Sequence, residues 1–321
     1  MGGGSWSHDY YEDVAKERES TGRSTFAYHE EVRSKPAHEQ KVHERLDPKG
    51  VKVRESRDSL EHPESIPIAI MLDVTGSMQS VPKGVQKSLP NLHKLVLKLG
   101  VRDPQFLFGA IGDEFADRGS LQVGQFESDN RMDADLETFW LEGGGGSYGE
   151  ESYQNAIYFF ARHTELDSLI KRTKKGYLFI LGDELPFPSV KSASVEAIFG
   201  YNLQGVDITT KDIVRECQQK YNVFFIIPRD TSGGSNSTVA QYWEELLGAE
   251  NVLHMEKATD ICELVATTVG ICEGLTNLQD AKILLRDAGV TAAATAHIEK
   301  SLYDLVKARG LPVGKEPVRR L

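Results

Sequence analysis

Residues 66–78 read Ile-Pro-Ile-Ala-Ile-Met-Leu-Asp-Val-Thr-Gly-Ser-Met. The first seven, Ile66–Leu72, are an unbroken apolar run, the pattern of a strand covered on both faces. The remaining six change character at once. In an extended backbone, residues i, i+2 and i+4 project to one side. Asp73, Thr75 and Ser77 stand at that spacing, so one carboxylate and two hydroxyls converge where the strand ends. Three converging oxygens outline a site for a hard cation such as Mg²⁺ or Mn²⁺.

Downstream, helical and strand patterns alternate. Val85–Leu99 has helical spacing and stops at Gly100, and Gln105–Ile111 is a second strand. Ser120–Phe126, after the turn at Arg118–Gly119, is a short edge strand. Helical patterns follow at Asp133–Trp140 and Ser152–Arg162, then an apolar strand at Gly176–Leu181. Asp212–Tyr221 is helical, Val223–Ile227 a strand, Val239–Leu247 helical, Asn251–His254 a short strand and Asp260–Val269 helical. Strands separated by helices predict an α/β fold: a doubly wound, mostly parallel six-stranded sheet, with the 120–126 strand as an antiparallel edge.

This domain spans 63–273. Residues 274–310 carry two further helical patterns, Leu278–Asp287 and Thr291–Ala308, which predict a helical hairpin docked on the core or on a partner. Residues 311–321 (LPVGKEPVRRL) read as a flexible tail. Residues 1–62 are rich in Glu, Arg, Lys, Ser and His, with almost no Leu or Ile. Such composition does not bury enough surface to offset its ordering entropy, so a polar, solvated N-terminal arm is expected. Trp6, Tyr10, Tyr11, Phe26 and Tyr28 add the alternative of an arm that orders on a partner. Five of the nine histidines lie here, at His8, His29, His38, His43 and His62, with no metal-ligand spacing.

Over its 321 residues the chain carries a formal charge of −11, which argues against nucleic acid as a partner. Cys217, Cys262 and Cys272 form no CxxC pair and read as reduced thiols in a reducing compartment. No apolar stretch approaches the ~18 residues of a membrane span. The N-terminal MGGGSWSHDY lacks a signal-peptide core, and Trp6 breaks the myristoylation pattern. The expectation is a cytoplasmic protein with no membrane partner.

In open parallel sheets, ligands bind beyond the carboxyl ends of the strands, where strand order reverses. Three segments present oxygen donors there: Asp73, Thr75 and Ser77; the loop Gly143–Ser147 before the Ser152 helix; and Asp183 after the 176–181 strand. This set resembles the von Willebrand factor A (vWA) fold with its metal-ion-dependent adhesion site (MIDAS). Asp73, Thr75 and Ser77 match that family's Asp-x-Ser/Thr-x-Ser motif. Ser147 matches by position a lone Thr in a glycine-rich loop, with Ser in place of Thr. Asp183 matches an Asp that ends the fourth strand. The resemblance covers about 66–272. It implies that Asp73, Thr75, Ser77, Ser147 and Asp183 hold Mg²⁺ (or Mn²⁺), directly or through water, and that an acidic side chain of a partner protein fills the open position. A non-enzymatic, metal-dependent protein-interaction module follows. vWA proteins work beside AAA+ ATPases, in adhesion and in assembly scaffolds. The whole chain also resembles vWA-type proteins of bacteria and their viruses, which implies a bacterial or infected-host cytoplasm, or a virion.

Around these motifs, the long connection 184–210 contains Pro186, Phe187, Pro188, Phe199 and Tyr201, and serves either a binding face or a packed excursion. Glu150, Glu151 and Glu184 flank the site and either tune metal affinity or are simply solvated. Three rival readings exist. Gly145-Gly146-Ser147-Tyr148-Gly149 matches the nucleophile elbow of serine hydrolases, with Asp183 and His254 in Ser–Asp–His order; it leaves Asp73 unexplained. Asp73 with Gly112-Asp113-Glu114-Phe115-Ala116-Asp117 resembles an aspartyl phosphotransferase, but the second motif comes too soon to enclose that core; Asp113 otherwise reads as a strand end or a support for the metal. The third is a structural subunit of a larger assembly, possibly viral, with an incidental metal.

Overall fold

A computed structural model describes residues 4–78, 80–144 and 149–314. The run that opens the sequence argument is β1, Ile66–Asp73, at the centre of a six-stranded sheet. Its companions are β2 Pro104–Ile111, β3 Leu121–Val123, β4 Gly176–Leu181, β5 Tyr221–Pro228 and β6 Val252–Met255. The strand order is β6-β5-β4-β1-β2-β3. All pairs are parallel except β2 with β3, which is antiparallel, as expected for the edge. From β1 the chain moves outward through β2 to β3, then returns to the other flank of β1 at β4. Strand order therefore reverses between β1 and β4, and the loops beyond their carboxyl ends form the crevice where such sheets bind ligands.

The helices are α1 His8–Thr21, α2 Ala27–Arg33, α3 Ser80–Lys98, α4 Arg131–Glu137, α5 Tyr153–Arg162, α6 Asp167–Arg172, α7 Ser192–Phe199, α8 Thr210–Cys217, α9 Ser237–Leu247, α10 Ile261–Cys272, α11 Leu278–Asp287 and α12 Ala292–Ala308. They cover both sides of the sheet. On β1, Ile68, Ile70 and Leu72 face a core shared with α3 and α10. The alternate residues Ala69 and Met71 face a second core shared with α5, α8 and α9. Period-2 alternation thus sends each side chain from Ile68 to Leu72 into one apolar layer or the other, and each large aliphatic buried this way contributes about 1.5–3 kcal/mol. That two-sided burial is why the run has no polar interruption before Asp73.

The C-terminal hairpin docks on the first core through Leu278, Ala281, Leu285, Ile298, Leu302, Leu305 and Val306. Its helices start at Asn277 and Thr291, whose side chains accept the N–H groups of Asp280 and Ala294. The tail expected at 311–321 lies from 315 onward outside the described residues. No helix among the described residues is long and apolar enough to cross a membrane.

The N-terminal segment corrects the expectation of a solvated arm. It forms α1 and α2 and lies against the same chain, with Tyr11, Phe26, Val32 and Leu46 buried. Phe26 and Leu46 join the core beneath α3, and Arg54–Ser56 pairs in parallel with Thr164–Leu166. Arg18, 6% exposed, bonds Asp133 at 2.5 Å and Glu137. Only some of the segment's apolar residues reach the core, while Tyr10 and Leu60 stay exposed, and its charges divide between buried pairs such as Arg18 with Asp133 and exposed side chains. A further link comes from Pro90 inside α3. Proline has no N–H, so the carbonyl four residues earlier, at Gln86, loses its helical donor. The Tyr11 hydroxyl donates to that oxygen at 3.2 Å.

The connection 184–210 is in part a packed excursion. It holds α7 between two short strands, Ser189–Val190 and Ile208–Thr209, paired antiparallel, and Phe199 is buried in the second core. Cys217 and Cys262 are buried and Cys272 half-buried, all three as free thiols.

Candidate metal centre

Asp73 ends β1 and is fully buried. The backbone N–H and hydroxyl of Thr75 both donate to Asp73 Oδ1, at 2.9 and 2.5 Å. The Tyr153 hydroxyl, in the first turn of α5, donates to Asp73 Oδ2 at 2.5 Å. Gly182 makes room for that hydroxyl, since a β-carbon there would collide with it. Asp183 lies two residues beyond β4, is 1% exposed, and accepts the Gly233 N–H on Oδ2 at 2.8 Å. Because β1 and β4 are hydrogen-bonded neighbours, with Leu72 opposite Leu181, the two aspartates stand at adjacent strand ends. The charge of Asp183 raises the cost of charging Asp73.

The glycine loop enters the same crevice. Gly76 N–H donates to Gly144 O at 2.9 Å. The Asp117 carboxylate lies against Gly144, where no side chain fits. The start of the loop is thereby held beside the turn at Gly76–Met78. Ser147 lies outside the described residues, as does the side chain of Ser77. Asp73, Thr75 and Asp183 are thus brought together, and the other two expected ligands have no described side-chain position.

More carboxylates converge here than the sequence motifs include. Glu151 and Asp113 are each 1% exposed, and Glu184 is half-buried. Glu151 belongs to a two-residue strand, Glu150–Glu151, paired in parallel with Leu185–Pro186. That bridge turns Glu151 inward, so it is not the solvated flanking residue that its neighbourhood in sequence suggested. Asp113 caps its own turn by accepting the Phe115 N–H at 2.8 Å, and Asp117 accepts the Asp113 N–H at 2.9 Å.

Burial pushes Asp73 up to about 6, with Asp183 adding to it, against the bonds from Thr75 and Tyr153 that favour its charge. Burial pushes Glu184 up to about 7, helped by Asp73, Asp183 and Asp113. Glu151 goes up to about 10, through burial first and then the charges of Asp73, Glu184, Asp113 and Asp117. Burial also raises Asp117. The side-chain charges that bear most on these four groups are all negative. The donors are carboxylate and hydroxyl oxygens, the set that suits Mg²⁺ or Mn²⁺ and not a soft metal. Among the described residues no three His, Cys, Asp or Glu side chains close on one point as a metal group, so an ion here would depend on hydroxyl and water oxygens beside Asp73 and Asp183.

Sequence reasoning missed Tyr153, whose place in an apolar helix reads as core. Its position in the first turn after the glycine loop was the available signal. The serine-hydrolase reading loses its base: His254 sits on β6, separated from β4 by β5. It lines a cavity of about 590 Å³ with His297, Lys300 and Tyr303 of α12.

No family model matches the chain, and no curated protein does. Among solved structures, the pilus adhesin SpaC from Lactobacillus rhamnosus GG gives a TM-score of 0.44 at 11% identity, covering 68% of this chain and 32% of that one. The same adhesin in an open conformation gives 0.43 at 10% identity, with 68% and 31% covered. Proximal thread matrix protein 1 from the mussel byssus gives 0.39 at 12% identity, with 64% and 47% covered. The chain thus spans about a third of the adhesin's length and under half of the matrix protein's. At these scores the likeness bears on neither family nor activity.

Proposed function

We propose that the chain is a vWA-type module that binds a divalent cation, Mg²⁺ or Mn²⁺, through Asp73, Thr75, Ser77, Ser147 and Asp183, and that it acts by binding a protein rather than by catalysis. The observation that carries this is the pair of buried aspartates, Asp73 and Asp183, at adjacent strand ends across the point where strand order reverses, with no basic side chain among the charges that bear most on Asp73. Two carboxylates and neutral hydroxyls balance a divalent ion without saturating it. An octahedral ion held this way keeps a position for an external oxygen, and a partner's Asp or Glu suits it. The setting is the cytoplasm.

Calorimetric titration with Mg²⁺ and with Mn²⁺ tests the reading. Wild type is expected to bind one or the other, and Asp73→Ala to abolish the binding heat. Absence of divalent binding by the wild type sinks the proposal. Partner association that survives EDTA unchanged would instead favour a purely structural subunit.

A further inference from the structure

Glu151 is 1% exposed, and its Oε2 has no hydrogen-bond partner among the described residues. The charges nearest in effect are those of Asp73, Glu184, Asp113 and Asp117, all of its own sign. Its backbone is tied down as well. Glu150–Glu151 pairs with Leu185–Pro186, and Phe187 N–H donates to Glu151 O at 3.3 Å. The side chain therefore does not reach bulk water without breaking that bridge. A buried carboxylate with a free oxygen and only like charges around it is costly unless a cation compensates it.

We propose that Glu151 is a further carboxylate of the cation site, acting on the ion through a coordinated water that donates to its free Oε2. This rests on the metal-binding reading above. Mg²⁺ dehydrates reluctantly and keeps several waters, each with protons to donate. Action through water also agrees with the absence of three acidic, His or Cys side chains closing on one point among the described residues. Groups that hold a metal's own ligands in place typically change affinity by about 10- to 100-fold. Glu151 is here a positioning residue, not a ligand.

Glu151→Gln keeps the shape and removes the charge. Two readouts are taken on the full chain: Mg²⁺ and Mn²⁺ affinity by calorimetry, and melting temperature in EDTA. The expected result is an affinity about 10- to 100-fold weaker together with a higher melting temperature in EDTA, because the metal-free protein no longer has to bury or protonate a carboxylate on folding. A residue that merely supports the loop would lower both. Glu150→Gln, one position away and only partly buried, is the control and should move neither. Unchanged affinity in Glu151→Gln, or a melting temperature in EDTA that fails to rise, overturns the assignment. If the wild type binds no cation, the metal reading falls first. If it binds and Glu151→Gln binds equally, only the role of Glu151 falls.

Discussion

Two regions of this molecule bury carboxylates, and they treat them in opposite ways. Where the N-terminal segment meets the domain, each acid has an arginine. Arg18 serves Asp133 and Glu137, Arg45 serves Asp135, and Arg131 serves Glu127. At the crevice between β1 and β4, the charges that bear most on Asp73, Asp117, Glu151 and Glu184 are those of other carboxylates, Asp113 and Asp183 among them. Buried acids matched within the chain hold the chain together. Buried acids left unmatched are, on the proposed reading, completed by a positive charge from outside it. The same residue types thus read as architecture in one place and as a site in the other, and the counter-charge is what separates them.

The sharpest way to break this contrast is to unmatch the matched side. Arg18→Ala leaves Asp133 and Glu137 buried without their cation, and is expected to cost about 3–5 kcal/mol in urea denaturation. A loss below 1 kcal/mol would mean the arginine pairs are not what holds the segment.

The second test uses acid. The His93 ring stacks on Trp6 with ring centres 5.7 Å apart. Burial pushes its pKa down to about 4, with His62 adding to the effect. The folded value lies below the ordinary ~6.5, so the neutral ring contributes its full stability above pH 6.5. That contribution is lost as pH falls from 6.5 toward 4, by up to about 3 kcal/mol. Amide exchange in α1 should accelerate over that window, and His93→Gln should remove the pH dependence.

The smallest effect is expected at the crevice. Tyr153→Phe deletes the phenol that donates to Asp73 Oδ2 and is expected to cost about 2 kcal/mol in EDTA. An unchanged stability would show that Asp73 does not depend on that donor in the metal-free protein.

Much of the sheet was legible because two-sided burial leaves continuous apolar runs, as at Ile66–Leu72 and Gly176–Leu181. Asp73 and Asp183 were legible because a polar residue at the end of such a run has few reasons to be there. The N-terminal segment was not legible. Its attachment rests on single residues, Tyr11, Phe26, Val32 and Leu46, and on long-range ion pairs, none of which leaves a period in the sequence. Glu151 escaped for a related reason. Its burial comes from a two-residue pairing with Leu185–Pro186, 35 positions away, too short to produce an alternation. The strand Thr164–Leu166 is likewise specified by its partner at Arg54–Ser56 rather than by its own pattern.

Pro90 gives the N-terminal segment one more meaning. A helix that contains a proline carries a carbonyl its own backbone does not satisfy, and here the missing donor arrives from Tyr11, 75 positions away in the chain. The defect in α3 and the hydroxyl in α1 are complementary halves of one turn. A chain trimmed to begin at residue 63 would keep the defect and discard its repair, so the boundary that composition draws at 62 is not a place where this protein comes apart cleanly.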